Sequence, residues 1–268
     1  MNNDRIQEIL DLMEEARLDY FLISDPQSIA YCTGYYNDPH ERMFVFMISK
    51  HGNHTLFMND LFYLEHDLDV NIVWHKDGQD AIQTIVDEMH FPGRIGIDKN
   101  WASHFLLDLM KKLPDAKYIN ASPCVDLVRM KKDLQEQVLM IESSKINDAV
   151  MEEIIPFIQE GVTEKQLAKK LDELFFNHHS TCYGAIVAFG KNAADPHHEN
   201  DDTPLRKGDC VLIDMGCVYK GYCSDMTRTF FYEGILEEEI KVYEIVKKAN
   251  EAAEAMIKPG VKLSDIDK

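Results

Sequence analysis

The segment VLIDMGCVYKGYCSDMTRTFF, residues 211–231, constrains the fold more than any other. Two β-prone runs flank Lys220-Gly221, and a two-residue connection of this kind predicts a hairpin. Residues equidistant from the turn then face one another, which sets Asp214 opposite Thr227 and Asp225 opposite Gly216. Side chains alternate between the faces of a strand, so both carboxylates project from one face as diagonal neighbours, with Cβ atoms ~7–8 Å apart. That separation lets two carboxylates hold a pair of metal ions ~3.5–4 Å apart. Gly216, facing Asp225, leaves room for the ions. An odd-length loop would put the two acids on opposite faces, so the pairing depends on the turn. Ordinary exposed strand acids also fit this spacing, and on spacing alone they are the commoner case. Two features weigh against them: Asp is poorly suited to strands, and both acids sit in apolar surroundings where an unpaired charge is costly. A cation would resolve that cost.

The 268 residues, 45% of them hydrophobic, suffice for about two domains with cores of their own. Helical spacing of Ile6, Ile9, Leu10 and Met13 leads into a strand at Tyr20 to Ile23. Further strands are predicted at Met43 to Ile48, His54 to Met58 and Arg94 to Ile97, and helices at Asp80 to Met89 and Ser103 to Lys112. This mixture predicts an α/β domain with a mixed sheet over residues 1–125, with Pro114 and Pro123 marking its border. The second domain, 130–268, opens on a long helix from Asp133 with Ile146, Ala149, Val150 and Ile154 on one face. A capping box, Thr163 with Gln166, starts another helix carrying Leu167, Leu171, Leu174 and Phe175. Strands follow at Gly184 to Phe189, Cys210 to Val218 and Tyr222 to Tyr232. A last helix carries Val242, Ile245, Val246, Ala249 and Met256, and Pro259-Gly260 ends it. Glu237 to Glu239 form its acidic first turn, favoured by the helix dipole, and not a metal site.

Asp plus Glu total 47 against 28 Lys plus Arg, a formal net charge of −19, which repels phosphate backbones and anionic membrane surfaces. Nucleic acid and membrane are therefore excluded as main partners. The longest apolar run, Met43 to Ile48, falls far short of the ~20 residues of a bilayer-spanning helix. The charged N-terminus lacks the apolar stretch of a secretory signal, so a cytoplasmic location is expected. Six cysteines with no C-x-x-C pair read as reduced, mostly buried thiols; Cys217 and Cys223 are close enough to pair, but buried strand cysteines are the commoner case. GxGxxG, the phosphate-loop pattern, HExxH and GxSxG are absent, so nucleotide binding, zincin chemistry and a serine nucleophile elbow have no support. His197-His198, after Pro196, is a second candidate site, although a loop histidine is more often a plain surface residue.

The run FGKNAADPHHEN followed by LRKGDCVLIDMGCVYKGYCSDMTRTFF resembles the Xaa-Pro peptidase group, prolidase and aminopeptidase P, of the pita-bread metallopeptidases. LDYFLISDPQSIAYCTGY is similar to that group's N-terminal α/β domain, so the resemblance spans the chain. It implies a cytosolic, homodimeric enzyme that cleaves the bond before proline in small peptides, using two divalent ions, commonly manganese, with cobalt, zinc or iron as alternatives. By this resemblance Asp214 is the first aspartate ligand and Asp225 the one that bridges both ions. His197 matches the non-ligand histidine that steadies substrate and tetrahedral intermediate, while His198 has no role in the pattern. The group's other ligands, a histidine and two glutamates downstream of the second aspartate, have no match before Lys268. The expectation is a C-terminally truncated chain, with only the first half of the pita-bread domain, that binds two ions poorly and hydrolyses little. The competing expectation is a non-catalytic or creatinase-like binding module.

Overall fold

The computed structural model describes residues 1–268. The chain divides into two compact units, Met1–Lys132 and Asp133–Lys268.

The first unit runs α1 (Asn3–Glu15), β1 (Tyr20–Ile23), α2 (Pro26–Thr33), β2 (Val45–Ser49), β3 (Thr55–Asn59), β4 (Asn71–His75), α3 (Ala81–Glu88), β5 (Arg94–Ile97), α4 (Ser103–Lys112), β6 (Lys117–Asn120) and α5 (Ser122–Met130). Its six strands form one mixed sheet in the order β4-β3-β2-β1-β5-β6. β1 pairs antiparallel with β2 and parallel with β5. Alternation along β1 sends Phe21 and Ile23 into one core with Ile6, Ile9 and Met13 of α1 and Val125 of α5. Tyr20 and Leu22 enter a second core with Ile82 and Ile85 of α3 and Leu109 of α4. Helices cover both faces of the sheet, so its central strands are apolar on both sides and read as unbroken runs. Pro123 does not mark a border: it sits in the first turn of α5, where its fixed φ suits a helix and its missing N–H has no intrahelical partner to lose.

The second unit runs α6 (Leu134–Ile154), α7 (Glu164–Asn177), β7 (Thr181–Cys182), β8 (Ile186–Phe189), β9 (Cys210–Met215), β10 (Cys217–Tyr219), β11 (Tyr222–Cys223), β12 (Met226–Phe231), α8 (Glu237–Met256) and α9 (Leu263–Ile266). Thr163 and Gln166 close the capping box of α7 at 3.3 and 3.0 Å. Leu167, Leu171, Leu174 and Phe175 of α7 pack with Val150 and Ile154 of α6 on Val187, Val211, Ile213 and Met215 of the sheet. The stripe of α8 has no such partner: Val242, Ile245 and Val246 are each more than 60% exposed.

The hairpin keeps the register that its turn dictates. Tyr219 faces Tyr222, and across the longer strands Asp214 faces Thr227. Lys220 and Gly221 both take positive φ, 48° and 84°, the I′ geometry whose twist matches the flanking strands. Alanine at Gly221 meets no neighbouring atom but must hold that left-handed backbone. Gly221→Ala is expected to cost about 1 kcal/mol, read as a lower urea midpoint at unchanged slope. The two expected strands are each interrupted, at Gly216 and at Ser224-Asp225, and the hairpin passes from the sheet β12-β9-β8 into the sheet β11-β10-β7.

Candidate metal centre

The interruption shapes the surroundings of both aspartates. β9 is the middle strand of its sheet, with Val211, Ile213 and Met215 buried toward the helices, so Asp214 lies on the opposite face, half-buried. Thr227 Oγ1 donates to Asp214 Oδ1 at 2.6 Å across the ladder. Asp225 lies between β11 and β12 and is exposed, so the apolar surroundings expected for it are not there. Tyr183, just after β7, places its hydroxyl 2.8 Å from the Ser224 carbonyl oxygen and 3.3 Å from Asp225 Oδ2. One phenolic proton serves one strong acceptor at a time, and the shorter contact makes the Ser224 carbonyl the main one.

The carboxylates also act on that phenol. Desolvation first, then the charge and hydrogen bond of Asp225, with smaller contributions from Cys223 and Asp214, push the Tyr183 hydroxyl up to about 12. It therefore stays protonated near neutral pH and remains a donor.

Gly216 does not leave room for ions. A Cβ built on it would lie 2.3 Å from the Ser224 carbonyl oxygen and 2.4 Å from Tyr183 Oη. The missing side chain admits the phenol and the neighbouring backbone. Beneath this point Cys217 Sγ sits 3.4 Å from Ser224 Oγ and 3.5 Å from Ser143 Oγ, and Asn147 Nδ2 donates to the Met215 carbonyl at 3.3 Å. Cys217 is buried and Cys223 exposed, and all six cysteines are free thiols.

The donor set fits a divalent cation. Asp214 has one oxygen bound by the Thr227 hydroxyl, Asp225 has one oxygen 3.3 Å from a phenol whose main acceptor is the Ser224 carbonyl, and the other oxygen of each accepts no hydrogen bond from the protein. Hard carboxylate oxygens suit manganese and similar ions. His197 is exposed, and its amide donates to Asp195 Oδ1 at 3.1 Å. His198, which the sequence pattern left without a role, makes a 2.6 Å hydrogen bond to the buried carboxylate of Glu164. Thr227 could have been found from the register, since it faces Asp214. Tyr183 and Glu164 carry no local signal: one is an aromatic beside a two-residue strand, the other an ordinary acid in a first helical turn.

Comparison with known proteins gives the same architecture. The sequence model of the Creatinase/Prolidase N-terminal domain matches residues 5–131, and that of metallopeptidase family M24 matches residues 138–268. A dipeptidase of Pyrococcus horikoshii is 32% identical, with a TM-score of 0.89, and the match covers 98% of this chain and 75% of that one. A prolidase of Thermococcus sibiricus is 28% identical, with a TM-score of 0.91, covering 100% and 75%. An uncharacterised peptidase of Staphylococcus saprophyticus is 28% identical over 273 residues, 98% of this chain and 76% of its own length. An α/β unit followed by a pita-bread unit is thus the class that fold and site define, and its matching family is one of metallopeptidases. The chain belongs to metallopeptidase family M24, in its Xaa-Pro peptidase group. No helix is long and apolar enough to cross a membrane.

Proposed function

We propose that the chain is a Xaa-Pro peptidase, a dipeptidase or aminopeptidase that hydrolyses the bond before proline in small peptides. In this reading residues 130–268 carry the chemistry, residues 1–125 form the accessory domain, and the enzyme works in the cytoplasm as a homodimer. Asp214 and Asp225 are the residues that would hold two divalent ions, manganese before cobalt, zinc or iron. The ions, when bound, supply Lewis acidity and a water of lowered pKa. The observation that carries the reading is the pair of carboxylates on one hairpin, each with an oxygen that accepts no hydrogen bond from the protein.

The protein's own share is orientation and charge. Thr227 fixes the rotation of Asp214 from across the ladder, and Tyr183 braces Asp225 and the Ser224 carbonyl. His197, exposed and within reach of solvent, donates a hydrogen bond to the oxyanion as it develops on the scissile carbonyl.

The reading is tested on the product of the full open reading frame. The expected result is manganese uptake by calorimetry and hydrolysis of Xaa-Pro dipeptides in preference to Xaa-Ala, lost with chelator and restored by manganese. A protein that takes up no manganese and cleaves neither peptide is the non-catalytic binding module instead.

A further inference from the structure

Away from the hairpin, one acidic side chain of the second unit is more deeply enclosed than any other. Glu164, in the first turn of α7, has no solvent exposure. Its carboxylate takes four hydrogen bonds from one stretch of chain. Oε1 accepts from the Phe189 amide at 2.8 Å and from Asn192 Nδ2 at 2.9 Å. Oε2 accepts from the Asp201 amide at 3.1 Å and from His198 Nε2 at 2.6 Å. Asn200 adds a second pin, donating to the Ala185 carbonyl and accepting from the Val187 amide, both at 2.7 Å. The loop from 190 to 201 is thus tied to α7 and β8 at its two ends, and His197 lies between the ties.

A buried carboxylate whose charge is unmatched is costly. Three of the four donors to Glu164 are neutral amides, so only His198 can bring a positive charge. The charged groups facing the imidazole are Glu164 from α7 and Asp195 and Asp201 from the loop itself. Lys165, the next residue on α7, is turned toward Asp202 at 3.0 Å. The hydrogen bond to Glu164 above all, with the charges of the three acids, holds His198 protonated to a higher pH than an ordinary histidine.

We propose that Glu164 and His198 form a proton-operated latch that positions the His197 loop: the imidazolium and the buried carboxylate hold residues 190–201 on β8, and loss of the proton loosens them. Only the role of His197 rests on the peptidase reading; the latch does not. The sign follows from linkage. A histidine whose pKa is raised by folding contributes stability in full below the ordinary value of 6.5, and that contribution is lost as pH rises through the folded value. The ligating atoms of Glu164, His198 and Asp201 lie within 4.8 Å of one another. Yet both oxygens of Glu164 already accept N–H donors, and a metal ion would have to displace the His198 proton to enter.

The test uses the whole 268-residue chain and its His198→Gln variant, which keeps an N–H donor but has no proton to lose. Long-range proton–nitrogen NMR follows the His198 ring, and amide exchange follows Asp201 and His197, from about pH 5.5 to 9. The expected result is a His198 that titrates above 6.5. Protection of the Asp201 amide, corrected for intrinsic exchange, should fall about tenfold over the same range, and stay flat in His198→Gln. A His198 that titrates at or below 6.5 overturns the latch. So does an equal loss of protection in the variant, or zinc added at neutral pH that binds and removes the Nε2 proton. A loop that titrates as expected in a protein that cleaves no Xaa-Pro peptide removes the peptidase reading and leaves the latch standing.

Discussion

Asparagine in place of Asp225 is expected to lower manganese affinity at the hairpin by at least about 100-fold, and the proposed hydrolysis of Xaa-Pro peptides is expected to fall with it. Changes that only disturb a ligand's hydrogen-bonding partner typically cost 10–100-fold in metal affinity, and this one removes the ligand's charge. The substitution is nearly isosteric, and the side chain is exposed, so folding is not at stake. Calorimetric titration with manganese, beside a dipeptide assay on the full reading-frame product, measures both effects. Unchanged turnover in Asp225→Asn removes this residue from the metal site. Thr227→Val offers a graded comparison, because it leaves Asp214 charged and deletes only the 2.6 Å hydrogen bond that orients it.

Gly216→Ala is expected to destabilise the second unit by about 3 kcal/mol, the upper end of the usual range for overpacking, and to lower its melting temperature by roughly 10 °C. The added methyl would lie 2.3 Å from a backbone oxygen, Ser224 O, and 2.5 Å from the Tyr183 ring carbon that bears the hydroxyl. Neither is the end of a flexible chain, so the hairpin or the β7 segment must shift. Scanning calorimetry supplies the number. Gly216→Ala in a Tyr183→Phe background tells the causes apart: partial recovery implicates the phenolic oxygen, and none implicates the Ser224 carbonyl. A variant that melts with the wild type shows that the hairpin can open here without loss.

The hairpin register was legible because a two-residue turn leaves one pairing, and the partners on both sides of the interruption obey it, Tyr219-Tyr222 and Val218-Cys223 on one and Met226-Met215 out to Phe231-Cys210 on the other. The apolar faces of α1 and α7 were legible for the same reason: a helical period and a capping residue are local facts. α2 escaped although its marks are present, with Asp25 capping, Pro26 in the first turn and Gly34 at φ 80° beyond the end. β4 and β6 escaped because they are edge strands, half-exposed and without alternation. Of the proposed site, the pattern named the two aspartates as candidates, and the hairpin that carries both was legible with them. The room expected at Gly216 could not be judged, since its occupant, Tyr183, comes from a segment more than thirty residues away. Glu164 was hidden differently: acids are common in first turns, and only tertiary structure shows that this one is buried.

The two units each enclose their own core, and they are not equally visible to a spectrometer. Both tryptophans of the chain, Trp74 on β4 and Trp101 before α4, belong to Met1–Lys132. Indole emission therefore reports on the first unit, while the second, with Tyr183 after β7 and Tyr219 and Tyr222 on the hairpin, is spectrally silent beyond 295 nm excitation, a wavelength absorbed by indole and hardly by phenol. A denaturation curve followed by tryptophan fluorescence could look fully native in a protein whose second unit had already unfolded. Chains with more than one core do not carry a single unfolding free energy. For this one, the optical probe in commonest use would watch the half where no chemistry is proposed.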